Sequence, residues 1–310
     1  MGAEPEQHYY LTVCAIFKDE AQYLSEWVSF HLSQGVEHFF LYDNLSTDGG
    51  ADVLAPFIEA GFVTLKPWHV LKEDGGQAAA YRDCLEEHGT QSFWIAFIDL
   101  DEFLHAVSTP LPALLREYER YGGLFVHWQN FGSSGHITKP AGGVVESFTR
   151  RARTTWSRNR EGKSIVRPTM VAPWGNPKTN KRVPHYFDLV PGADLVTENY
   201  EVLSPLGMFL GDKITKLMLK RLGEFSYRLG SWFPYLFNPF GSKRGHPKSV
   251  SVGQIRINHY VVKSKEEYGL KMRRMSAKPE KYNETFFRFH DRNEVEDLIL
   301  KEKMREISSR

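Results

Sequence analysis

The sequence predicts an α/β fold built on a doubly wound, mostly parallel sheet, and three observations support this prediction. Short apolar segments rich in β-branched and aromatic residues alternate with segments of helical periodicity over the first hundred residues. Glycines end the helical segments and the connections are short, as in repeated strand–helix units. The fourth strand segment is almost entirely apolar, which is typical of a strand at the buried centre of a parallel sheet.

Each predicted element is bounded by residues that start or stop regular structure. The first strand ends at a Lys-Asp-Glu sequence, and Asp19 with Gln22 has the spacing of a capping box at the start of the next helix. Glycines end this helix and the two that follow, at Gly35, Gly61 and Gly89. In chain order the sequence predicts strand 10–17, helix 21–35, strand 36–42, helix 51–61, strand 62–65, helix 77–88 and strand 93–98.

The composition indicates a globular protein with a substantial core. The 310 residues are 41% hydrophobic and 14% aromatic, which excludes a disordered chain. Lysine and arginine number 39 against 38 acidic residues, so we expect no nucleic-acid partner. The two cysteines, Cys14 and Cys84, lack metal-ligand spacing, which excludes a disulfide framework and favours a reducing compartment. Because no secretory signal or spanning segment is apparent, we expect a soluble, cytoplasmic protein.

Acidic residues follow three of the predicted strands. Glu20 follows the first, Asp43 the second, and Asp99 and Asp101 the fourth. Because parallel strands end at one edge of a sheet, we expect these carboxylates to lie together where α/β sheets bind ligands. Asp99 and Asp101 alternate on an extended backbone, so both can face one side and hold Mg²⁺ or Mn²⁺ on a diphosphate. In the alternative interpretation, Asp101 only caps the following helix.

Motifs of other enzyme classes fail on inspection. The Gly162-Lys163-Ser164 sequence resembles the end of a phosphate-binding loop, but Ser157 stands where that motif needs its first glycine. A serine-hydrolase elbow starting at Gly132 would need its closing glycine where His136 stands. The sequence also lacks a glycine-rich dinucleotide fingerprint after the first strand and a zinc-peptidase motif. We therefore expect none of these classes.

Seven sequence blocks resemble one known family. In order they are CAIFKDEAQYLSEWVSFHLSQGVEHFFLYDNLSTD, QAAAYRDCL, WIAFIDLDEF, WQNFGSSG, GGVVESFTRR, KSIVRP and INHYVVKS. Together they resemble glycosyltransferase family 92 and the related bacterial family-2-like glycosyltransferases, from about residue 10 to about residue 274 except near 200–250. The resemblance implies a GT-A fold, a nucleotide-sugar donor with UDP-galactose as first choice, Mn²⁺ or Mg²⁺ as cofactor, and inversion at the anomeric carbon.

The resemblance also implies roles for individual residues. Asp43 is similar to the acidic residue that contacts the nucleobase, although Asn44 departs from the commoner Asp-Asp pair. Glu20 and Arg82 stand where nucleotide-contacting residues are expected, and an ordinary exposed helix arginine remains the alternative for Arg82. The implied metal site combines Asp99 as a ribose or metal contact, Asp101 as the direct ligand, and His259 of the sequence Asn-His-Tyr.

An inverting transferase needs one general base, because the acceptor hydroxyl loses a proton as it attacks the sugar. Glu146 is the candidate, since it follows the small-residue loop 131–135 and belongs to one of the resembling blocks. Asp188 is the reserve candidate. In the alternative interpretation, Glu146 pairs with Arg150 one helical turn away.

Two basic regions have two interpretations each. Seven basic residues within 150–167 suit a donor diphosphate or a phosphorylated acceptor, or else form a solvated hairpin. Segment 206–248 has eight basic and two acidic residues among aromatic ones. It suits peripheral contact with an anionic membrane at the inner face of the cytoplasmic membrane, or packs on the catalytic domain as a helical excursion.

These regions divide the chain into three parts. Residues 8–204 are predicted to form the GT-A nucleotide-sugar-binding and catalytic core, and 205–250 a basic aromatic insertion for acceptor or membrane contact. Residues 251–310 would complete the core and add C-terminal helices, with a capping box at Ser264 and Glu267 and an amphipathic helix at 294–307.

Three functions stay open at this point. The first is an inverting, metal-dependent glycosyltransferase that moves a sugar from a UDP-sugar to a glycan or lipid-linked glycan. The second is a glycoside hydrolase, which would use two carboxylates and no nucleotide. The third is a catalytically silent sugar-nucleotide-binding protein that retains only the sheet. Nucleotide binding separates the first from the second, and sugar transfer separates the first from the third.

Overall fold

The computed structural model describes residues 7–70, 75–173, 185–203, 249–274 and 283–308 of the chain. The strands are β1 (Tyr9–Phe17), β2 (His38–Asp43), β3 (Val63–Pro67), β4 (Ser92–Phe97), β5 (Glu102–Ala106), β6 (Gly123–Asn130), β7 (Arg150–Arg151), β8 (Gly162–Val166), β9 (Leu195–Val196), β10 (Ile255–His259) and β11 (Val295–Glu296). The helices are α1 (Ala21–Ser33), α2 (Gly50–Glu59), α3 (Gly76–His88), α4 (Leu111–Leu115), α5 (Val144–Ser147), α6 (Lys265–Arg274), α7 (Glu284–His290) and α8 (Ile299–Ser308).

One sheet organises the described residues. Its strand order is β3-β2-β1-β4-β8-β6-β10-β5, with β9 beside β6. The strands β3, β2, β1 and β4 are parallel, whereas β8 is antiparallel to both its neighbours and β5 to β10. The predicted GT-A type α/β fold with a doubly wound, mostly parallel sheet is confirmed. The strand order reverses between β1 and β4, which places the ligand crevice of such a sheet at their carboxyl ends.

The sheet buries apolar side chains on both faces. Along β1, Val13 and Ala15 join the larger core cluster with residues of α1 and α2, whereas Cys14 joins the cluster that includes α3. This alternation follows from the two-residue period of a strand. The fully buried Trp27 of α1 and Tyr81 of α3 are large side chains that these helices place against the two faces. Helices on both faces explain why β1 and β4 are nearly continuous apolar segments.

The predicted capping box of Asp19 and Gln22 at the start of α1 is wrong. Glu20, not Asp19, is the N-cap residue, and its side chain makes no capping hydrogen bond. The amide of Ala21 donates instead to Asp48 Oδ2 at 2.8 Å, and Asp19 Oδ1 accepts from the amide of Thr47 at 2.7 Å. The loop after β2 therefore caps α1, and it is held in turn by the loop after β1. This long-range arrangement replaces the local capping box.

The C-terminal region agrees with the sequence in part. The capping box of α6 is confirmed, since Ser264 Oγ donates to Glu267 Oε2 at 2.5 Å and accepts from the Glu267 amide at 3.2 Å. The predicted helix 294–307 begins later, at Ile299, because residues 295–296 pair as a strand with β7. Asp297 holds this junction through ion pairs with Arg151 (2.6 Å) and Arg256 (2.8 Å).

The predicted insertion 205–250 lies outside the described residues except for its last two positions. Across the parts of the chain that are described, no helix combines the length and apolar character that crossing a membrane requires.

Candidate active site

The structure brings the predicted acidic strand ends to one edge of the sheet. β1 and β2 pair in parallel with Phe17 opposite Asp43, and Asp99 follows β4, the other neighbour of β1. This edge is the one that the strand order marks as the ligand crevice. We call the carboxylates Glu20, Asp43, Asp99 and Asp101 the acidic rim.

Asp99 is held by groups from α3 and β8. Its Oδ1 accepts from Gln77 Nε2 at 2.5 Å and from the Tyr81 hydroxyl at 3.4 Å, and its Oδ2 accepts from Lys163 Nζ at 2.8 Å. Burial raises the pKa of Asp99, but the Lys163 ammonium outweighs burial, so the net pKa is lowered and the carboxylate is ionised. Lys163 is itself 1% exposed, and although burial lowers its pKa, Asp99 and Glu102 raise it further. This pair fixes the orientation of Asp99 before any ligand binds.

Glu102 is a fully buried carboxyl behind Asp99. Its Oε2 accepts from the Asp99 amide at 2.9 Å and lies 3.7 Å from Lys163 Nζ. Burial raises the pKa of Glu102 well above its usual range, while Lys163 lowers it and Asp99 and Asp101 raise it. Through its contact with the Asp99 amide, Glu102 closes the tight turn that presents Asp99 and Asp101 from one short segment.

Asp101 and His259 face each other on the other side of the rim. Asp101 Oδ2 accepts from Lys271 Nζ at 2.7 Å, while its Oδ1 lies 3.7 Å from His259 Nε2, beyond hydrogen-bond length. Burial raises the pKa of Asp101, but Lys271 and the other nearby cationic groups lower it by more, so the carboxylate is ionised. Burial lowers the pKa of His259 to about 4 against the attraction of Asp101, so the imidazole is neutral at pH 7.

The Asp101–His259 pair fits a divalent cation. His259 Nδ1 lies 3.0 Å from Asn130 Oδ1, which places the ring proton on Nδ1 and leaves the Nε2 lone pair facing the carboxylate. Imidazole nitrogen and carboxylate oxygen are both ligands of Mn²⁺. In the described part of the chain, no group of three or more His, Cys, Asp or Glu side chains gathers as a metal site. The protein would thus supply two ligands and leave positions for phosphate oxygens, as Mg²⁺-type sites at nucleotides do.

Lys263, which is buried, adds a further ammonium group beside this pair. It adopts a left-handed backbone conformation with φ of 54°, which costs energy for a residue with a side chain. Its Nζ lies 4.1 Å above the centre of the Tyr23 ring, a cation–π contact. Burial lowers the pKa of Lys263, and Glu20 and Asp101 only partly offset this effect. Lys263 thus combines a strained backbone with a buried ammonium charge that its acidic neighbours only partly compensate. Such a group is suited to bind an anionic ligand at this edge.

Asp43 and Asn44 have different structural roles. Asp43 is half-buried, and its Oδ1 accepts from the amide of Ser46 at 2.9 Å. Asn44 is buried, and its Nδ2 donates to the carbonyls of Trp68 and Val70 at 2.9 and 3.0 Å. Asn44 therefore holds the segment after β3 against the segment after β2, which explains why an amide replaces the second aspartate at this position.

The two other predicted nucleotide contacts are placed less distinctively. Glu20 ends the loop before α1 and attracts Lys263 electrostatically. Arg82 lies on α3 with its side chain 38% exposed, and its Nε is 3.4 Å from Glu86 one turn further on. This placement matches the alternative of an ordinary helix arginine, and the nucleotide-binding role of Arg82 stays a prediction.

Glu146 lies in a separate open cleft. It is exposed on the short helix α5, whose first amides, of Val144 and Val145, donate to Glu26 at 2.7 and 3.0 Å. The helix ends at Ser147 and Arg150 belongs to β7, where its Nε donates to the Asn293 carbonyl at 2.9 Å. The described residues show no ion pair between Glu146 and Arg150, so that predicted alternative is wrong. The reserve candidate Asp188 is half-buried. The Glu146 cleft, of about 480 Å³, is lined by His136, Ala141, Gly142, Glu146, Ser147, Thr149 and Lys301.

The sequence did not indicate several residues that meet at the acidic rim. Lys163 is one of seven clustered basic residues, and its Gly-Lys-Ser sequence does not complete a phosphate-binding loop. Lys271 sits in a helical segment where nothing in the local pattern distinguishes it from surface residues. The available signal is membership of the resembling blocks: Gln77 begins QAAAYRDCL, Lys163 begins KSIVRP, and Lys263 follows His259 by four positions in INHYVVKS.

Comparisons with known proteins find glycosyltransferases among the similar sequences. A glycosyltransferase family 92 protein of Oryza sativa subsp. japonica is 33% identical over 191 residues, which is 60% of this chain and 31% of that protein. A galactan β-1,4-galactosyltransferase of Arabidopsis thaliana, GALS3, is 33% identical over 115 residues, 32% of this chain and 21% of that protein. The chain spans about a third of the length of the family 92 relatives that it matches.

Among solved structures, S. aureus TarS 1–349 in complex with UDP-GlcNAc aligns with 52% of this chain and 46% of its own, with a TM-score of 0.36 and 14% sequence identity. The family model "Glycosyltransferase family 92" matches residues 9–191, more than half of the chain. That span contains β1–β8 and all four carboxylates of the acidic rim. By this match the chain belongs to glycosyltransferase family 92.

Proposed function

We propose that this protein is an inverting, metal-dependent glycosyltransferase that moves a sugar from a nucleotide diphosphate donor to a glycan acceptor. The observation that carries the proposal is the Asp101–His259 pair, in which two lone-pair donors face each other across 3.7 Å at the ligand edge of the sheet. Such an arrangement is unfavourable alone and favourable around a cation.

The charge balance of the site supports a diphosphate ligand. Around the rim, the four carboxylates Glu20, Asp43, Asp99 and Asp101 are accompanied by the three ammonium groups of Lys163, Lys263 and Lys271. A divalent cation between Asp101 and His259 would add two positive charges to this set. A nucleotide-sugar diphosphate carries negative charge that the cation and the ammonium groups can bind, and partial burial strengthens the attraction.

Each part of the site then has a task. Bound Mn²⁺ or Mg²⁺ would supply Lewis-acid stabilisation of the charge that develops on the leaving diphosphate. Asp101 and His259 would hold the ion, with Lys271 fixing the second carboxylate oxygen of Asp101. Lys263 would contact the diphosphate directly. Asp99, held by Lys163 and Gln77 and partly exposed, would contact the donor ribose.

The donor that we propose is a UDP-sugar. Asp43 would contact the base at the carboxyl end of β2, with Glu20 and Arg82 as further nucleotide contacts. UDP-galactose is the sugar donor of choice because a relative of similar identity is named a galactan β-1,4-galactosyltransferase. A glycan acceptor is supported in the same way. The lipid-linked acceptor, the membrane contact of 206–248 and the cytoplasmic location stay predictions.

An inverting mechanism needs a base on the acceptor side that removes the proton from the attacking hydroxyl. Glu146 is our proposed base because it is exposed in an open cleft wide enough for a sugar and is flanked by Gly142 and Ser147. Glycine and serine let a carbohydrate approach the backbone closely. His136 Nε2 donates to the Ser147 carbonyl at 3.1 Å, which orders one wall of this cleft.

A donor panel tests the proposal. Purified protein is incubated with UDP-, GDP-, ADP- and dTDP-sugars, with Mn²⁺ or with a chelator, and nucleotide release is measured with and without glycan acceptors. We expect metal-dependent UDP release, fastest with UDP-galactose, and an acceptor product of inverted anomeric configuration by NMR. Hydrolysis of a glycan without nucleotide would favour a glycoside hydrolase. Nucleotide binding without turnover of any donor would favour a silent binding protein.

A further inference from the structure

Two buried asparagines lie behind His259, on the side away from Asp101. Asn130 ends β6 and is 1% exposed, and Asn159, in the 3-10 turn Ser157–Arg160, is fully buried. We propose that Asn159 and Asn130 are positioning residues that fix the tautomer and orientation of His259, so that its Nε2 lone pair faces Asp101. The inference rests on the proposed metal site, but the tautomer itself can be tested without metal.

The orientation of Asn159 is set by backbone groups, whose donor and acceptor roles cannot change. Its Nδ2 donates to the carbonyls of Arg153 and Thr154, at 3.0 and 3.4 Å. Its Oδ1 accepts from the backbone amide of Asn130 at 3.0 Å. Reversing the side-chain amide would bring nitrogen against an N–H and oxygen against two carbonyls, so only one orientation satisfies all three contacts.

This orientation determines that of Asn130. The Asn130 Nδ2 donates to Asn159 Oδ1 at 2.9 Å, so the amide nitrogen is engaged and Asn130 Oδ1 is the atom that faces His259. A carbonyl oxygen 3.0 Å from His259 Nδ1 accepts a hydrogen bond from it and cannot donate one, so the ring proton is on Nδ1. A neutral imidazole with its proton on Nδ1 has a bare lone pair on Nε2. The chain of contacts thus runs from backbone to Asn159 to Asn130 to His259.

The ring has little freedom to leave this position. Trp128 packs on the imidazole with ring centroids 4.3 Å apart, and both residues belong to adjacent parallel strands, β6 and β10. With the Nδ1–H bond satisfied, rotation of the ring would break a buried hydrogen bond, which costs free energy. Partners of this kind behind a metal-binding histidine commonly contribute 10–100-fold in metal affinity, by order of magnitude. We infer that Asn130 and Asn159 prepare His259 for a cation before the cation arrives.

Three variants on one strand and the wild-type protein test the inference. Asn130→Leu has a similar shape and removes the acceptor, and Asn130→Asp keeps an acceptor for the Nδ1 proton but loses the donor to Asn159 Oδ1. Gln129→Leu is the matched control, because Gln129 is an equally buried amide that bonds to Trp128 and Thr154 and not to His259. Mn²⁺ affinity is measured by calorimetry on the folded proteins, and thermal unfolding without metal is recorded for each.

We expect Asn130→Leu to weaken Mn²⁺ binding roughly 10–100-fold. We expect Gln129→Leu to stay within about threefold of wild type, a difference of under about 1 kcal/mol, and Asn130→Asp to lose less affinity than Asn130→Leu. An equal loss in Asn130→Leu and Gln129→Leu would mean a general packing role and would overturn the inference, as would unchanged affinity in Asn130→Leu.

Nitrogen-15 NMR of the histidines in metal-free wild-type protein supplies the independent arm. We expect His259 as the neutral Nδ1–H tautomer, with the signal assigned by its loss in His259→Gln. An Nε2–H tautomer would overturn the inference whether or not the variants fold. If wild type shows the Nδ1–H tautomer but binds no Mn²⁺, the positioning of His259 by Asn130 and Asn159 stands and the proposed metal site fails.

Discussion

The acidic rim and the Glu146 cleft are two chemically different halves of the same molecule. At the rim, the carboxylates are half-buried and bound to cationic partners: Asp99 has Lys163, and Asp101 has Lys271. In the cleft, Glu146 and Lys301 belong to an open surface formed by a loop and the C-terminal helix. The rim carboxylates are thus oriented by paired ammonium groups, whereas Glu146 is exposed at the surface of its cleft.

The largest expected effect is at the rim. Asp101→Ala should lower sugar transfer by more than about 10³-fold, because loss of a metal ligand forfeits several kcal/mol of transition-state stabilisation. The measurement is the initial rate of UDP release with the best donor and acceptor. Asp52→Ala, which removes an exposed carboxylate from α2, is the control and should keep its rate. A rate for Asp101→Ala within tenfold of wild type would contradict the assignment of the metal site.

Local sequence patterns predicted only part of the acidic rim, for a physical reason. Asp99 and Asp101 follow an apolar strand, and strand periodicity is a local signal, so their edge of the sheet was predictable. Lys271 meets Asp101 across 170 residues, and the Asp48 cap of α1 also comes from another loop. Such contacts depend on how β10 and the loops pack, which no local pattern contains. The predicted elements of the first hundred residues are confirmed because each depends on local signals, namely its own periodicity and its own terminating residues.

The second prediction tests the cleft side of the comparison. Glu146→Gln keeps the shape of the side chain but removes the proton acceptor, so transfer should fall roughly 10²–10⁴-fold. Donor binding, measured by calorimetry with UDP and Mn²⁺, should be unchanged, because the cleft lining does not include the rim carboxylates. Glu266→Gln, another exposed glutamate near the same loop, is the control. Loss of UDP binding in Glu146→Gln would instead join the cleft to the nucleotide site.

The third prediction separates donor affinity from chemistry. Lys263→Met keeps the apolar stem over Tyr23 and removes the charge, so KM for the donor should rise roughly 10–100-fold, the range for losing a charged hydrogen bond. The value of kcat should change less, because the lysine is proposed to contact the diphosphate in the ground state as well. Lys139→Met is matched, since Lys139 Nζ lies 5.5 Å above the same ring but is exposed. Equal KM values for wild type and Lys263→Met would remove Lys263 from the donor site.

The smallest effect at neutral pH concerns His31, a buried histidine of α1 that lies in the core. Its Nδ1 is 2.8 Å from the Trp27 carbonyl, and its Nε2 accepts from the Leu104 amide at 3.1 Å. Burial lowers its pKa to about 3, since a second ring proton would have to point at an N–H. In the unfolded chain the pKa is near the ordinary value of about 6.5. Below that pH the unfolded chain binds a proton that the folded protein does not bind.

The sign of the pH effect follows from this difference. The free energy of unfolding contains the full His31 contribution above pH 6.5 and loses about 1.4 kcal/mol per pH unit as the pH falls toward 3. Glutamine can donate to the Trp27 carbonyl and accept from the Leu104 amide without titrating, so His31→Gln should show a shallower fall by about that slope. Urea unfolding at pH 7, 6 and 5 measures it, with the exposed His8→Gln as control. Parallel curves for wild type and His31→Gln would mean that His31 takes up a proton in the folded protein, and that burial in this core does not exclude charge in the way proposed for the rim.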